Sequence, residues 1–396
     1  MSLFLITFLS LYGGMHAYAF IRLTGAFSPS PQVSFVLAAW MILMVAAPVL
    51  VRLAEGAGLE RVALCLAWPG YVWMGVLFLF ASALAALDMV RATAWLISRV
   101  SGSGMPGFLT ATGTCGVALI VAILASAYGL YDARHIRSDH VTITSAKLPP
   151  SVSRVRIVQI SDVHMGLLFG ESRLNAILAA IRAAAPDILV STGDLVDGRL
   201  SREDVISHQN RLAYLLAAIA APGGKFAVTG NHEFYAGLEQ ALAFTRTAGF
   251  TLLRGQTVTL PSGIAISGVD DPAGRTRGVA EPAPTEQQLL QTVPDKYFRL
   301  LLKHRPVVPA GSDGLFDLQL SGHVHQGQIF PFNLLVRLQY PIPCGTTETK
   351  GHSLIHVSRG TGTWGPPVRV LAPPEVTVID IVRPKSQGHP LVGARL

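Results

Sequence analysis

The sequence has few charged residues. Asp, Glu, Lys and Arg make up only 14% of its 396 residues, whereas 50% of the residues are hydrophobic. Soluble domains carry about 25% charged residues on average. The composition therefore excludes a chain that is made only of ordinary soluble domains. The excess of apolar residues has to lie in particular segments.

Cysteine is also scarce. Cys65 and Cys115 lie in apolar runs, and Cys344 is the one cysteine of the polar part, so no disulfide can form within that part. This pattern is compatible with a reducing compartment but does not require one. The sequence also lacks heptad repeats, low-complexity tracts and nucleic-acid-binding motifs, and we expect no nucleic-acid partner. Its net charge of +7 suits an anionic partner, such as phosphate groups or lipid headgroups.

The apolar residues concentrate in four long runs at the N-terminal end, over residues 3–20, 34–51, 62–87 and 108–131. Each run is long enough, or almost long enough, to cross a bilayer core of about 30 Å. They predict an all-α bundle of four transmembrane helices within a domain over residues 1–135. A cleaved signal peptide is disfavoured because the first run lacks a basic start and three more runs follow it. A buried helical core is disfavoured because the third run has no polar face.

The orientation in the membrane follows from the loops, since Lys and Arg favour the cytoplasmic side. Four crossings place Arg52, Arg61, Arg134 and Arg137 on the side of the C-terminal part, and Arg22, Arg91 and Arg99 on the other side. Four against three favours, by one residue, a cytoplasmic C-terminal part.

The C-terminal two-thirds alternates strand and helix patterns after a predicted linker over residues 136–150, in a domain over 151–396. Predicted strands cover 155–161, 187–191 and 225–229, and predicted helices cover 171–185, 201–221 and 236–248. Five further strand-like segments follow, over 251–255, 257–260, 264–269, 298–304 and 316–322. This order predicts an α/β layered domain with at least one mixed sheet.

Candidate ligands lie at or just after the ends of five of these strands: Asp162 and His164, Asp194, Asn231 and His232, His304, and His323 and His325. A single Asp-X-His is more often a turn feature, and His304 alone could be a core histidine. Together they form a set of oxygen and nitrogen donors suited to divalent Mn, Fe or Zn at the edge where open α/β sheets place their sites. No thiolate takes part, which disfavours a structural zinc site.

The motifs DVH (162–164), GDLVDG (193–198), GNHE (230–233), KH (303–304) and GHVH (322–325) occur in the order typical of calcineurin-like metallophosphoesterases, which the chain resembles over roughly residues 150–382. The tail VSRGTGTWGPPVRVLAPPEVTVIDI (357–381) is similar to that of the membrane-associated bacterial branch and of vertebrate transmembrane proteins with this domain. The resemblance implies a four-layer α-β-β-α sandwich.

The resemblance also implies residue roles. Asp162, His164 and His325 would hold one divalent ion, and Asp194 would bridge it to a second ion held by Asn231, His304 and His323. His232, beside Asn231, would contact the phosphate and protonate the leaving oxygen, while metal-activated water attacks phosphorus. The two ions would be Mn foremost, with Fe, Zn and Mg as alternatives.

Some residues have less definite roles. The branch usually has glycine after the second histidine of GHxH, and Gln326 stands there instead, which puts substrate fit in doubt. We expect Glu233 to stabilise its loop rather than to act in catalysis. Asp197, Asp270 and Asp271 could orient ligand histidines or serve as surface and turn residues.

These features predict a multi-pass protein of the bacterial inner or plasma membrane that hydrolyses phosphoesters as a phosphodiesterase or pyrophosphatase. The membrane helices favour a lipid-linked substrate, such as the UDP-diacylglucosamine cleaved by some calcineurin-like enzymes. An envelope or nucleotide phosphodiesterase with a soluble substrate, or a non-catalytic membrane regulatory protein, is the alternative. Trp68, Tyr71, Trp73 and Phe78 could line a lipid groove or, as we expect for Trp68, belong to the interfacial belt.

Overall fold

A computed structural model describes residues 3–104, 106–198, 211–276, 278 and 283–384. The first part of the helix predicted over 201–221, including its proposed start at Ser201, lies outside the described residues. Residues 211–217 of that prediction are helical.

Four long helices open the chain: α1 (Leu3–Phe27), α2 (Pro31–Gly56), α3 (Glu60–Ser101) and α4 (Ala111–Asp132). Ser30 and Thr110 cap α2 and α4, each accepting a hydrogen bond from a backbone N–H of the first turn. Among the described residues, three helices, α2, α3 and α4, are long and apolar enough to cross a membrane. The N-terminal region therefore carries three candidate spans, and the fourth span, over α1, stays a prediction.

Polar side chains of these helices pair with one another inside the bundle. Arg22 of α1 lies 2.7 Å from the carboxylate of Asp88 on α3, and Tyr18 donates to the same carboxylate at 2.6 Å. The indole N–H of Trp73 donates to His16 at 2.9 Å. Because unpaired polar groups are costly in an apolar surrounding, these pairs fix α1 against α3.

The C-terminal part contains two six-stranded mixed sheets. The first has the order β1-β12-β2-β3-β4-β5. Its strands are β1 (Arg137–Thr144), β2 (Arg154–Ile160), β3 (Ile188–Ser191), β4 (Lys225–Ala227), β5 (Thr251–Leu252) and β12 (Glu375–Val382). Strands β2 to β5 are parallel, and β12 runs antiparallel to β2.

Strand β1 lies in the segment predicted as a linker over 136–150. It pairs in parallel with β12, with Arg137 opposite Glu375 and Thr144 opposite Val382. The structure differs from the prediction because RSDHVTIT is an edge strand whose first half is polar and solvent-exposed, so it lacks an apolar run. The first sheet therefore begins before residue 151.

The second sheet has the order β10-β11-β9-β8-β7-β6. Its strands are β6 (Gln256–Thr259), β7 (Ile264–Gly268), β8 (Phe298–Leu302), β9 (Leu318–Ser321), β10 (Gly345–Glu348) and β11 (Leu354–Val357). Strands β7, β8, β9 and β11 are parallel, and β6 and β10 are antiparallel to their neighbours.

The remaining helices are α5 (Glu171–Ala184) and the short helices Asn231–Ala236, Leu238–Thr247, Ala273–Thr276, Glu286–Gln291 and Phe332–Gln339. Side chains of the two sheets share one buried core that includes Ile157, Val190, Ile266, Leu300 and Leu320. A second core joins the first sheet to α5 and the helical residues 211–217. The α/β class with mixed sheets is confirmed, and the complete four-layer arrangement stays a prediction.

The membrane helices pack directly against the C-terminal part. The N–H of Arg369 donates to the carbonyl of Gly129 on α4 at 2.9 Å. Val368 and Val370, on either side of Arg369, pack into the core of the helix bundle. A Cβ at Gly129 would lie 2.9 Å from Val370 Cγ2. Since that distance is below van der Waals contact, the absence of a side chain permits this close approach.

We therefore expect Gly129→Leu to separate α4 from residues 368–370 and to destabilise the full chain in detergent by about 1–3 kcal/mol, as overpacking does elsewhere. The measurement is the apparent Tm. Gly116→Leu is the matched control, because it lies on the same helix and a Cβ there meets nothing within 4 Å. An equal effect of both substitutions would contradict the close contact.

Candidate metal centre

The carboxyl ends of the parallel strands of both sheets meet at one edge of the domain, and the predicted ligands lie there. Asp162 and His164 follow β2, Asp194 follows β3, and His304 follows β8. The sheets are joined at this edge by the Gln159 side-chain amide, which donates to the Ser321 carbonyl at 3.0 Å. Six of the seven predicted ligands are buried: Asp162, His164, Asp194, Asn231, His304 and His325. His323 is half-buried.

Five of these residues share an unusual backbone conformation. Positive φ angles occur at Asp162 (53°), His164 (51°), Asp194 (52°), His323 (73°) and His325 (49°). Residues other than glycine rarely adopt this left-handed conformation because the Cβ then crowds the backbone. Such strain tends to concentrate at functional sites, where it directs side chains toward a common point.

The first cluster contains Asp162, His164 and His325, which each offer one ligand atom within 4.8 Å of the others. The Nε2 atoms of His164 and His325 are 3.0 Å apart, and Nε2 of His325 is 3.5 Å from Oδ1 of Asp162. Nitrogen and oxygen donors that converge in this way are suited to a divalent cation.

The second cluster contains Asp194, His304 and His323 within the same limit. Nε2 of His304 is 3.2 Å from Oδ2 of Asp194 and 3.2 Å from Nδ1 of His323. The Nδ1–H of His304 donates to the Thr192 carbonyl at 2.8 Å, which fixes the ring with Nε2 directed at the cluster.

Asn231 has an unpaired buried oxygen, and the carboxylate of Asp194 lies between the two clusters. The buried Oδ1 of Asn231 makes no hydrogen bond within the described residues, and a buried acceptor without a donor is costly. Oδ2 of Asp194 lies 3.2 Å from His304 and 3.9 Å from Nε2 of His164. The Asp194 carboxylate thus lies between one histidine of each cluster.

The two buried carboxylates, Asp162 and Asp194, place negative charge at this centre. Burial lowers the pKa of His304, but the carboxylates of Asp194 and Asp162 outweigh burial and raise that pKa to about 10. Burial raises the pKa of Asp162 to about 6, with repulsion from Asp194 adding to the effect. A divalent metal ion among these groups would supply positive charge that offsets the two buried carboxylates. The donor set and the unpaired Asn231 oxygen fit such an ion.

His232 lies beside both clusters but points its Nδ1 atom elsewhere, to Oδ1 of Asp197 at 3.0 Å. Its backbone N–H donates to Oδ1 of Asp194 at 2.8 Å, and its ring lies 4.7 Å from that of His164. Burial lowers the pKa of His232, but Asp194 and Asp197 outweigh burial and raise it to about 9. The two carboxylates thus favour the protonated imidazole of His232.

Glu233 stabilises the loops around the centre, as we expected from the sequence. Its carboxylate accepts hydrogen bonds from four backbone N–H groups: Asp194 at 3.0 Å, Leu195 at 2.7 Å, Val196 at 3.3 Å and Gly230 at 2.7 Å. These bonds fix the Asp194 loop against the Asn231 helix. Of the three further aspartates, Asp197 contacts His232, whereas Asp270 and Asp271 pair with Arg254 and Arg305.

Two arginines near the centre were not identified from the sequence. Arg369 is fully buried. Its guanidinium lies 3.1 Å from Nδ1 of His325 and donates to the carbonyls of Arg359 and Ala372. Arg52 of α2 lies 3.5 Å from Asp197, the carboxylate that contacts His232. Neither arginine lies in one of the five motifs, and only tertiary contacts bring them to the site.

Gln326 has φ 52° and ψ 25°. This left-handed conformation gives a physical reason for the glycine that the family branch usually has at this position. The Oε1 atom of Gln326 is also buried without a hydrogen-bond partner in the described part of the chain. The residue is therefore strained in its backbone and unsatisfied in its side chain.

Comparisons with known proteins identify the class. The model of the calcineurin-like phosphoesterase family matches residues 155–327. An uncharacterized metallophosphoesterase of Aquifex aeolicus is 38% identical over 272 residues, which are 68% of this chain and 100% of that protein. The chain therefore belongs to the calcineurin-like phosphoesterase family, and its domain is of a type that indicates metal-dependent phosphoester hydrolysis.

The family resemblance seen in the motifs is thus confirmed, in both groups of relatives. A Danio rerio protein named transmembrane protein with metallophosphoesterase domain is 30% identical, over 66% of this chain and 61% of that protein. A Helicobacter pylori metallophosphoesterase, also uncharacterized, is 34% identical over 59% of this chain and 61% of its own length. The chain spans about three-fifths of these two relatives.

The conformation of Gln326 leads to a prediction about stability. We expect Gln326→Gly to raise the apparent Tm of the full chain, because it removes a left-handed penalty of about 1–2 kcal/mol that exceeds the added backbone entropy of glycine. Gln326→Val should lower the Tm, since a β-branched side chain tolerates positive φ least. The glycine variant melting below the wild type would contradict this explanation.

Proposed function

We propose that the protein is a membrane-anchored, dinuclear-metal phosphoester hydrolase, with its site on a four-layer α-β-β-α sandwich held at the membrane by four helices. The observation that carries the proposal is the position of Asp194, whose carboxylate oxygen lies within 4 Å of a histidine from each ligand cluster. A carboxylate in that position can bridge two dications, which repel each other unless anionic oxygens lie between them.

In this proposal Asp162, His164 and His325 hold one ion, and Asn231, His304 and His323 hold the other, with Asp194 shared. When bound, the two ions would supply Lewis-acid activation of water and neutralise charge on the phosphoryl group. Manganese remains our first choice of metal, with iron, zinc and magnesium as alternatives, because the donors are histidine nitrogens and carboxylate or amide oxygens.

The residues of the chain supply the remaining steps. Asp194 and Asp197 favour the protonated form of His232, which can contact a phosphate oxygen and give its proton to the leaving oxygen. Asp197 fixes the orientation of the imidazole through Nδ1. Asn231 and His232 adjoin in one short helix, which supports neighbouring roles in metal binding and proton transfer.

We further propose a lipid-linked phosphodiester or pyrophosphate as the substrate, with the catalytic domain on the cytoplasmic side. The support is the proximity of membrane helix and site, since Arg52 of α2 contacts Asp197. UDP-diacylglucosamine is the specific substrate to test first. A soluble phosphodiester and a non-catalytic regulatory role are the other outcomes of the same assay.

The test is an activity screen of the full chain in detergent and in lipid vesicles, with lipid-linked and soluble phosphodiesters and with each of Mn, Fe, Zn and Mg. We expect Asp194→Asn to abolish hydrolysis, and His232→Gln to lower kcat by about 10²–10⁴-fold, the range for loss of a general acid. Asp295→Asn and His352→Gln are matched controls, because both side chains are highly exposed and lie in other loops.

Unchanged rates in the Asp194 variant would contradict the mechanism. A folded wild-type protein that binds metal but hydrolyses no substrate of the panel would favour the regulatory role. Hydrolysis of soluble substrates alone, with no effect of lipid, would contradict the lipid-linked substrate and leave the hydrolase mechanism intact.

The pair formed by Asp197 and His232 predicts a pH effect. Activity that requires protonated His232 is lost as the pH rises through the pKa of His232. Asp197 is among the groups that raise this pKa, so Asp197→Asn should move the alkaline limb of the kcat profile to lower pH. The measurement is the pH dependence of kcat, with Asp295→Asn as control. An unshifted alkaline limb would contradict the proton-donor role.

A further inference from the structure

The short helix Phe332–Gln339, which we name the 332–339 helix, has an unusual distribution of apolar residues. None of its eight residues is buried. Three of its large apolar side chains are strongly exposed, with exposed fractions of 53% for Leu334, 58% for Leu335 and 83% for Leu338. A helix on the surface of a soluble domain normally turns such residues inward and exposes polar ones.

The exposed leucines share one face of this helix. The opposite face carries Asn333 and Val336, and Val336 packs with Tyr340 on the core beside β11. Residues three and four positions apart lie on the same side of an α-helix, so Leu334, Leu335 and Leu338 point directly away from that core. The outward face of the helix is therefore apolar and needs an apolar surrounding of its own.

The 332–339 helix and the residues just before it pack against the membrane helices. The ring of Phe332 packs edge-to-face on Phe78 of α3, with centroids 6.2 Å apart. Ile329, three residues earlier, belongs to the buried core of the helix bundle together with Leu77 and Phe80. Because α3 is a candidate span, the 332–339 helix starts at the surface of the membrane-embedded part of the chain.

We propose that the 332–339 helix lies in the interfacial layer of the bilayer and inserts Leu334, Leu335 and Leu338 among the lipid chains. Its occupant is thus the phospholipid surface itself. Arg337, on the flank of the leucine face and exposed, is placed to reach lipid phosphates while its stem stays in the apolar layer. Short helices with an apolar face and basic flanks bind membranes in this way.

The proposed contact has a consequence for the metal centre. The 332–339 helix begins seven residues after His325, and the residue after it, Tyr340, packs its ring 5.5 Å from the ring of His323. His323 and His325, one proposed ligand for each ion, therefore lie only a few residues before a helix that we place in the membrane surface. The centre is held next to the lipid headgroups, whatever its substrate.

The test is the accessibility of spin labels in the full chain, reconstituted in vesicles of phosphatidylcholine and phosphatidylglycerol. Single cysteines replace Leu334, Val336, Leu338 and Lys296 in turn, in a background where Cys65, Cys115 and Cys344 are alanine. Collision with oxygen reports apolar surroundings, and collision with a water-soluble nickel complex reports solvent. Lys296 lies in a loop of the second sheet and serves as the aqueous control.

We expect labels at Leu334→Cys and Leu338→Cys to show a several-fold higher ratio of oxygen to nickel collisions than Lys296→Cys. The label at Val336→Cys should show low collision rates with both, since it is packed on protein. A ratio at Leu338→Cys equal to that at Lys296→Cys would overturn the proposal. Low rates with both reagents at Leu334→Cys and Leu338→Cys, together with a dimer in solution, would overturn it in favour of a second copy as the occupant.

Discussion

The structure depends on two buried carboxylates, Asp162 and Asp194, that follow neighbouring parallel strands. Taking a carboxylate out of water is expensive unless positive charge or hydrogen bonds replace the lost hydration. The N–H of His323 donates to Asp162 at 3.0 Å, and that of His232 donates to Asp194 at 2.8 Å. The surrounding imidazoles complete a set of donors that divalent cations would bind. Five of the seven proposed ligands have a left-handed backbone conformation, which brings their side chains to one point around the buried carboxylates.

The buried centre is connected to the membrane by two routes. Arg369 contacts His325 through its side chain and Gly129 of α4 through its backbone N–H. Asp197 contacts His232 on one side and Arg52 of α2 on the other. Both routes join a proposed functional histidine to a membrane helix within two contacts. Helices α2 and α4 therefore contact residues that in turn contact the proposed site.

Much of the fold could be predicted from local patterns, whereas the support of the site could not. Strands such as β2 and β8 are short apolar runs followed at once by polar ligands, and the rule for parallel strands brings those ligands to one edge. Strand β1 escaped prediction because its polar first half lies at a sheet edge. Arg52 lies in no motif, and the tail motif that contains Arg369 assigns it no role, so only contacts 145 and 44 residues away in sequence place these arginines at the site. The leucines of the 332–339 helix have the spacing of a helix that packs on a protein core. Only the structure shows that their face is exposed instead of buried.

The account rests on two cation sites that share Asp194. The most direct measurement is anomalous X-ray scattering from crystals of the full chain grown with manganese. The account predicts two anomalous peaks about 3.5–4 Å apart, on either side of the Asp194 carboxylate, one near His164 and His325 and the other near His304 and His323. A single peak remote from Asp194, or no peak among these histidines, would contradict it.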